Sequence, residues 1–186
     1  MKDYNLITIL GTTATGKTTL ACALANEIDS EIISADSRQV YRGMTIGTGK
    51  DLDDYLINGK QIPYHLIDIV DAGYKYNVFE FQRDFLSAFQ TISQKNKIPI
   101  LCGGTGLYIE AVLKGYKMIE VPTNQSLREH LESKTLEELT QILSTYKTLH
   151  NRTDVDTIKR AIRAIEIADY YSNHTEENTY YPPINS

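Results

Sequence analysis

The sequence predicts an α/β protein in which a parallel sheet carries helices on both faces. Two observations support this fold class. Short apolar, β-branched segments alternate with segments of helical periodicity, and a glycine-rich loop joins the first predicted strand to the first predicted helix. Because consecutive strands joined by helices form right-handed crossovers, we expect the strands to be parallel and buried.

Each element is predicted from a local pattern. Strands are expected over 6–10, 31–35, 65–70 and 99–102, where aliphatic residues cluster between polar turns. Helices are expected after the glycine-rich loop, over 78–95 and over 106–114. The helix over 78–95 follows a potential cap at Asn77, and its apolar face comprises Val78, Phe81, Phe85, Phe89 and Ile92.

From about Pro122 onward the pattern becomes purely helical. The spacings Ser126-x-x-Glu129 and Thr135-x-x-Glu138 both fit a capping box and predict two short helices, and a last helix is expected over about 155–171. We therefore predict an α/β core over 1–118, a helical insertion over 119–152, a helix over 153–171 that docks on the core, and a flexible tail over 172–186.

Composition restricts the class of protein. The chain has 186 residues, a formal net charge of −5, and no apolar run that approaches the ~20 residues of a membrane span. The N-terminus lacks the form of a signal peptide. Cys22 and Cys102 lack metal-ligand spacing and are expected to be buried thiols. These features predict a cytoplasmic protein that has no membrane partner.

The glycine-rich loop predicts a phosphate site. Its residues fit G-x-x-x-x-G-K-[ST], a P-loop, whose backbone N–H groups and following helix N-terminus attract phosphate oxygens. Lys17 adds a positive charge, and we expect the Thr18 hydroxyl to be a ligand for Mg²⁺. The loop comprises Gly11, Thr12, Thr13, Ala14, Thr15, Gly16, Lys17 and Thr18.

Three segments are expected to meet at one crevice. The P-loop, Asp36 and Thr105 each follow the carboxyl end of a predicted strand, where ligands bind in such folds. Asp36 and Asp68 are the only acidic residues at plausible strand ends, and the strand over 99–102 leads into glycines without a carboxylate. This pattern disfavours a motor ATPase or GTPase and favours a substrate that is consumed by group transfer.

Several ordered motifs resemble one family. The segment 36–50, together with the P-loop, His65-Leu66-Ile67-Asp68 and Gly103-Gly104-Thr105-Gly106-Leu107-Tyr108, closely resembles tRNA dimethylallyltransferases. The likeness covers about residues 4 to 171 and implies the P-loop nucleoside-triphosphate-hydrolase-like fold with a small helical insertion. Members of the family are commonly longer, so the chain is expected to lack the C-terminal part.

The resemblance implies prenyl transfer. The P-loop would hold dimethylallyl diphosphate with Mg²⁺, and the five-carbon group would pass to N6 of an adenine beside the anticodon of tRNA. Lys17 would stabilise the diphosphate, Asp36 would accept the amine proton, and Thr105 would lie at the reaction centre. The insertion would face RNA in an enzyme that we expect to be monomeric. The implied tRNA contacts are Asp36, Ser37, Arg38, Gln39, Arg128, Lys159, Arg160 and Arg163.

Alternatives remain open at the level of the protein and of single residues. The chain could act on free AMP as an adenylate isopentenyltransferase, act as a P-loop small-molecule kinase, or be a truncated, non-catalytic RNA-binding remnant. Asp36 could cap the turn that follows it, and Thr105 could cap a helix. Arg160 could pair with Asp156, Arg128 could be a solvated charge, and Lys50 and Arg42 are expected on the surface.

Overall fold

A computed structural model of the chain describes residues 4–50, 52–148, 153–174 and 181–186. The contacts divide the chain into two compact units. The first, called here the α/β unit, comprises Met1–Lys117 and Tyr181–Ser186, and the second, the helical unit, comprises Met118–Tyr180. Among the described residues, no helix combines the length and apolar character needed to cross a membrane.

The α/β unit alternates strands and helices along the chain. Its elements are β1 (Ile7–Leu10), α1 (Lys17–Glu27), β2 (Ile32–Ser34), β3 (Leu56–Ile57), β4 (Lys60–Gln61), β5 (Tyr64–His65), α2 (Val78–Ser93), β6 (Ile100–Gly103) and α3 (Gly106–Leu113). A short 3₁₀ helix, Leu52–Tyr55, precedes β3. The P-loop over 11–18 lies between β1 and α1, as the sequence predicts.

Four parallel strands form the sheet in the order β1-β6-β2-β5. The pair β3–β4 forms a separate antiparallel ribbon. Since β6 lies between β1 and β2, the carboxyl ends of these three strands are adjacent, with Leu10 opposite Gly103 and Ser34 opposite Cys102. The predicted α/β fold with a parallel sheet is confirmed.

Two apolar cores cover the two faces of the sheet. Successive side chains of a strand point to opposite faces, so Ile33 and Leu101 join the core formed with α2 and α3. Ile32 and Ile100 instead join the core formed with α1 and the Leu52–Tyr55 segment. Burying each of these side chains contributes about 1.5–3 kcal/mol. The cores therefore hold the carboxyl ends of the strands in a stable arrangement.

Both cysteines lie in the core against α1. Cys22 and Cys102 are free and buried. Burial raises the pKa of the Cys22 thiol to about 12 and that of Cys102 to about 11. The thiols are therefore protonated, and their prediction as buried residues is confirmed.

The third predicted strand is much shorter than expected. β5 ends at His65 because Leu66 and Asp68 adopt positive φ angles of 62° and 55°, which strand geometry does not allow. The N–H groups of Asp68 and Ile69 donate to the backbone carbonyls of Gln39 and Val40. The segment after β5 thus pairs with the loop after β2, and the predicted strand over 65–70 was wrong beyond His65.

The helical unit contains α4 (Gln125–Glu132), α5 (Leu136–Tyr146), a 3₁₀ helix (Thr153–Val155) and α6 (Ile158–Asn173). α6 packs against α5 and α4. The buried side chains of this packing are Leu131, Leu139, Leu143, Ala161, Ile162 and Ile165. The helix predicted to dock on the α/β core over 153–171 is therefore a central element of the helical unit, because its apolar stripe faces α4 and α5.

Helix capping followed the predictions in two of three cases. The boxes Asn77–Glu80 and Thr135–Glu138 are both formed. The predicted box at Ser126 was wrong, because α4 already begins at Gln125 and Asn124 caps it by accepting from the Leu127 N–H at 3.1 Å. An asparagine one residue before the helix provides the same acceptor as a serine cap.

The last six residues of the chain contradict the predicted flexible tail over 172–186. The Asn185 carbonyl accepts from the N–H groups of Asn5 and Leu6, at 3.0 and 3.2 Å. The Tyr181 hydroxyl donates to the Val112 carbonyl at 2.7 Å. Residues 181–186 therefore pack against the α/β unit, while the part of the predicted tail over 175–180 lies outside the described residues.

Candidate active site

Hydrogen bonds between residues of the P-loop hold the loop in its conformation. Gly16 precedes α1 with a φ of 77°, a left-handed conformation that glycine adopts without steric cost. The Thr12 carbonyl accepts hydrogen bonds from the Thr15 hydroxyl, at 2.8 Å, and from the Lys17 ammonium. An ammonium has three donors, so Lys17 keeps donors for a phosphate after this contact. The first N–H groups of α1 have no intrahelical partner and add to the same anion site.

Five segments of the α/β unit line a cleft of about 210 Å³ beside the P-loop. The P-loop and Asp36 meet there, as the strand-end argument predicts. Of the site residues predicted in the α/β unit, Gly11, Thr12, Ser37, Arg38 and Thr105 are not part of the lining. The lining comprises Thr13, Ala14, Thr15, Gly16, Lys17, Thr18, Thr19, Asp36, Gln39, Thr48, Gly49, Asp54, Tyr55, Cys102, Gly103 and Gly104.

Asp36 is a half-buried carboxylate at the end of β2. Its Oδ1 accepts a hydrogen bond from the Arg38 N–H at 2.9 Å, so the turn-capping role considered above is present. That bond occupies one of the two carboxylate oxygens. Asp36 lines the cleft opposite the P-loop. A turn cap and a proton acceptor are therefore compatible on this side chain, because Oδ1 caps the turn and Oδ2 is available for another partner.

Thr105 connects the ends of β6 and β2. Its Oγ1 accepts from the Ser37 N–H at 3.0 Å and donates to the Ser37 hydroxyl at 3.3 Å. Thr105 occupies the N-cap position of α3, but its side chain forms no capping hydrogen bond. The helix-cap alternative is therefore wrong for the hydroxyl, which instead holds the residue next to Asp36.

Gly103 is required by the close approach of the same two strand ends. A Cβ atom at this position would lie 2.3 Å from the Ala35 carbonyl oxygen. The Thr105 N–H also donates to that oxygen, at 3.1 Å. Any side chain at position 103 would separate β6 from β2 and displace Asp36 from the P-loop.

Gln39 and Lys50 hold the loop that follows Asp36. The Gln39 amide accepts from the Ser34 hydroxyl at 2.8 Å and donates to the Gly49 carbonyl at 3.0 Å. The Lys50 side chain is completely buried, and its ammonium donates to Asp68 at 2.5 Å and to the Tyr41 carbonyl at 2.6 Å. The prediction that Lys50 is a surface residue was wrong. The signal that could have revealed it is the acidic Asp68 at the predicted strand end.

Arg42 keeps its predicted place on the surface. Its guanidinium pairs with Asp71 at 3.0 Å and donates to the Ile69 carbonyl at 2.8 Å. Both side chains of the pair are mostly exposed. Surface pairs of this kind contribute about 0–1 kcal/mol, so Arg42 supports the loop only weakly.

Asp54 is a cleft residue that the sequence argument missed. It follows no sheet strand but lies in the 3₁₀ helix Leu52–Tyr55, which packs against α1. The Thr19 hydroxyl donates to Asp54 Oδ2 at 3.3 Å. The cleft is therefore lined by two carboxylates, Asp36 and Asp54, and by the ammonium of Lys17.

Two of the predicted RNA-binding arginines hold a buried carboxylate in the helical unit. Glu166, whose side chain is 1% exposed, accepts from Arg128 Nε at 2.8 Å and Arg128 Nη2 at 2.6 Å. Arg163 and the Asn124 N–H donate to the same carboxylate. Burial alone would raise the pKa of Glu166, but the hydrogen bonds from Arg128, Arg163 and Asn124 outweigh burial and lower it.

The other two predicted RNA contacts of the helical unit are exposed on α6. Lys159 and Arg160 lie in its first turn, and Arg160 pairs with Asp156 at 3.0 Å. The helical ion pair considered above for Arg160 is therefore present. Both side chains are open to solvent, which an RNA contact requires.

Fold and site together define a P-loop α/β protein in which the loop borders a cleft that also carries a carboxylate at a strand end. Residues 39–183 match the family model described as IPP transferase, and residues 4–71 match the one described as isopentenyl transferase. The first match covers more than half of the chain, and the chain belongs to the IPP transferase family.

Proteins of known name show the same relationship. The chain is 69% identical over 186 residues to tRNA dimethylallyltransferase 2 of Bacteroides fragilis, of which it covers 61%. It is 66% identical over the same length to tRNA dimethylallyltransferase 1 of Parabacteroides distasonis, again covering 61%. The chain thus spans about three fifths of the length of the curated relatives that it matches.

Solved structures agree with the fold. The full-length tRNA isopentenylpyrophosphate transferase of Bacillus halodurans is similar with a TM-score of 0.58 and 34% identity, over 91% of this chain and 56% of that one. A eukaryotic dimethylallyltransferase crystallised while acting on tRNA is similar with a TM-score of 0.72 and 23% identity, over 98% and 47%. At that identity the second likeness supports the fold alone.

Proposed function

We propose that this chain forms the donor-binding part of a prenyltransferase. The reaction transfers a dimethylallyl group from dimethylallyl diphosphate to N6 of an adenine next to the anticodon of tRNA and releases diphosphate. The observation that carries the proposal is the cleft in which the P-loop meets the Asp36 carboxylate. The 69% identity to a tRNA dimethylallyltransferase supports this choice of substrates.

The P-loop would bind the diphosphate of the donor. When the bond between C1 of the dimethylallyl group and the diphosphate oxygen breaks, negative charge develops on that oxygen. The Lys17 ammonium and the first N–H groups of α1, which border the cleft, would stabilise this charge. The proposed reaction does not require hydrolysis of a nucleotide, because the diphosphate of the donor is itself the leaving group.

The residues present also fit Mg²⁺. The Thr18 hydroxyl lies in the first turn of α1, and the same cleft carries carboxylate oxygens, which are the ligands that Mg²⁺ prefers. Bound with the donor, Mg²⁺ supplies charge neutralisation for the diphosphate. Thr18 and the diphosphate oxygens would hold the ion.

Asp36 would accept the proton of the acceptor amine. N6 attacks C1 while the C–O bond to diphosphate breaks, and the proton lost from N6 passes to Asp36 Oδ2. The exocyclic amine of adenine is a poor nucleophile, so a carboxylate within hydrogen-bonding reach assists the attack. Thr105 would act through Ser37, by keeping the segment after Asp36 in place. An adenine in an RNA stack would have to leave it to reach this cleft.

We propose that tRNA contacts residues whose side chains are accessible to solvent. Ser37 and Arg38 follow Asp36 directly, and Arg38 is exposed. Lys159 and Arg160 offer exposed cationic side chains on α6. Arg128 and Arg163 remain predicted contacts, but each would have to bind RNA while it holds Glu166. We expect the enzyme to act as a cytoplasmic monomer.

The test supplies two different acceptors to the purified chain and includes a control without an acceptor. It is incubated with Mg²⁺ and labelled dimethylallyl diphosphate, together with tRNA, with AMP, or without an acceptor. We expect label in tRNA alone. Label in AMP would identify an adenylate isopentenyltransferase instead, and phosphoryl transfer from ATP to a small acceptor would identify a kinase. Diphosphate binding without any transfer would favour the non-catalytic remnant.

Asp36→Asn separates catalysis from folding in the same assay. The amide oxygen of asparagine still accepts from the Arg38 N–H, so the turn is preserved. The variant loses the proton acceptor, and transfer should fall by about 10²–10⁴-fold while the chain still binds diphosphate together with Mg²⁺. Asp71→Asn, a change at a largely exposed surface pair, is the matched control. Transfer by Asp36→Asn at the rate of the control would exclude the proton-accepting role.

A further inference from the structure

The charges that line the cleft do not suit a free diphosphate. Among the residues that the structure describes there, the charged side chains are the carboxylates of Asp36 and Asp54 and the ammonium of Lys17. Like charges repel strongly where water is partly excluded. A polyanion that enters with no cation would meet more negative than positive side-chain charge. The lining therefore indicates that a cation accompanies the anion.

Asp54 is held at the start of α1 by the fold. The next residue, Tyr55, is buried in the core against α1, and its ring contacts Tyr64 edge-to-face with centroids 4.7 Å apart. Oδ2 of Asp54 accepts from the Thr19 hydroxyl at 3.3 Å. Since Thr19 follows Thr18, the carboxylate lies beside the turn that carries the hydroxyl assigned to Mg²⁺.

The protein offers too few ligands to hold a metal ion alone. Within the described ranges, no group of three or more His, Cys, Asp or Glu side chains is arranged to bind a metal. Mg²⁺ commonly retains several waters and is held by one or two carboxylates together with substrate phosphates. A single carboxylate and a threonine hydroxyl beside a diphosphate match that pattern.

We propose that Asp54 is a positioning residue for the divalent cation, which it orients through the cation's hydration water. This inference rests on the proposed binding of a diphosphate in the P-loop. Asp54 binds the water, Thr18 provides the direct protein ligand, and the diphosphate oxygens complete the site. The site is therefore formed only when the diphosphate is present.

Metal binding can be measured without catalysis. Mn²⁺, which replaces Mg²⁺ and is paramagnetic, is titrated into the whole chain with and without inorganic diphosphate and followed by electron paramagnetic resonance. The variants are Asp54→Asn and Asp54→Ala. Asp53→Asn is the matched control, because Asp53 is adjacent, exposed and outside the cleft lining.

We expect the Asp54 variants to bind Mn²⁺ about 10- to 100-fold more weakly in the presence of diphosphate, as is typical when a residue around a metal's ligands is lost. Asp53→Asn should behave as the unmodified chain. Without metal, diphosphate should bind the Asp54 variants more tightly than the unmodified chain, because one negative charge is gone. A purely structural role of Asp54 would not change the two affinities in opposite directions.

Two results would overturn the inference. Mn²⁺ affinity of the Asp54 variants equal to that of Asp53→Asn would exclude Asp54 from the site and leave the proposed prenyl transfer intact. Failure of the unmodified chain to bind diphosphate with Mn²⁺ would remove both proposals. If Asp54→Ala melts at a lower temperature, Asp54→Asn, which keeps an acceptor for Thr19, still decides the question.

Discussion

The Thr105 hydroxyl accepts a hydrogen bond from the backbone N–H of Ser37 at 3.0 Å, across the gap between two neighbouring strand ends. The two residues are 68 positions apart in the chain. This bond fixes the residue that follows Asp36 relative to the loop that follows β6. The geometry of the proposed proton acceptor therefore depends on a side chain that need not touch the substrate.

Thr105→Val should test this dependence. Valine has nearly the shape of threonine but cannot accept from the partly buried Ser37 N–H, and an unsatisfied donor costs about 1–3 kcal/mol. We expect prenyl transfer to fall by about tenfold or more while diphosphate binding by the P-loop is unchanged. Thr105→Ser, which keeps the hydroxyl, should retain most of the activity. Equal activity of the Val and Ser variants would contradict the role of the bond.

Gly103→Ala should destabilise the α/β unit. The added Cβ would lie 2.3 Å from the Ala35 carbonyl oxygen, a backbone atom that cannot move without breaking the β2–β6 pairing. We expect a loss of about 1–3 kcal/mol or more in the free energy of unfolding, measured by urea denaturation. Gly106→Ala is the control, since no atom lies within 4 Å of its Cβ position and alanine favours a helix. Equal stability of both variants would disprove the close approach.

Lys50→Met should loosen the loop between β2 and the Leu52–Tyr55 segment. The substitution leaves Asp68 and the Tyr41 carbonyl without their buried donor. Because Asp68 is still one-third exposed, we expect a loss of about 2–4 kcal/mol, near the lower end for a broken buried pair. Lys60→Met, which removes a solvent-exposed pair with Asp29, should change the melting temperature little, because water screens the pair. Thermal melting of the two variants provides the comparison.

The helical unit should lose stability in acid through Glu166. Its pKa is lowered in the folded state, so its contribution is complete above the ordinary pKa of Glu, near 4.5, and is lost as the pH falls through the lower folded value. The protection of the amides in α4 and α6 against hydrogen exchange, measured relative to their intrinsic exchange rate at each pH, should therefore decrease below the ordinary pKa. Arg128→Met should weaken this acid dependence, because the strongest partner of Glu166 is removed. An unchanged pH profile in Arg128→Met would rule out this origin.

Local patterns predicted the parts of the site that lie within a few residues of one another. The P-loop and the strand before it were recognisable because the spacing of Gly11, Gly16 and Lys17 reflects backbone geometry within one turn. Asp36 was predicted because it directly follows a strand. Thr105 was predicted in the same way and family resemblance gave it a role at the reaction centre, but neither revealed the contact with Ser37 through which the structure connects it to Asp36.

Contacts between distant segments were not predictable in the same way. Asp54 reaches the cleft through the packing of a 3₁₀ helix against α1, and 35 positions separate it from Thr19. Arg163 and Glu166 are three residues apart on one helix, but Arg128 reaches the same carboxylate from 38 positions away. Periodicity carries no information about such pairs, because they depend on how whole elements pack.

The strand formed by Ile7–Leu10 is one of the two edge strands of the described sheet, and residues 181–186 lie beside its start. The outer edge of a sheet is where a second copy of a chain can add its own strand, which leads to association and eventually to fibres. The Asn185 carbonyl binds two N–H groups just before this strand, and the Thr8 and Ser186 hydroxyls are 2.7 Å apart. Six residues that contribute nothing to the cleft thus occupy hydrogen-bonding groups at the start of this edge, where an added strand would otherwise pair.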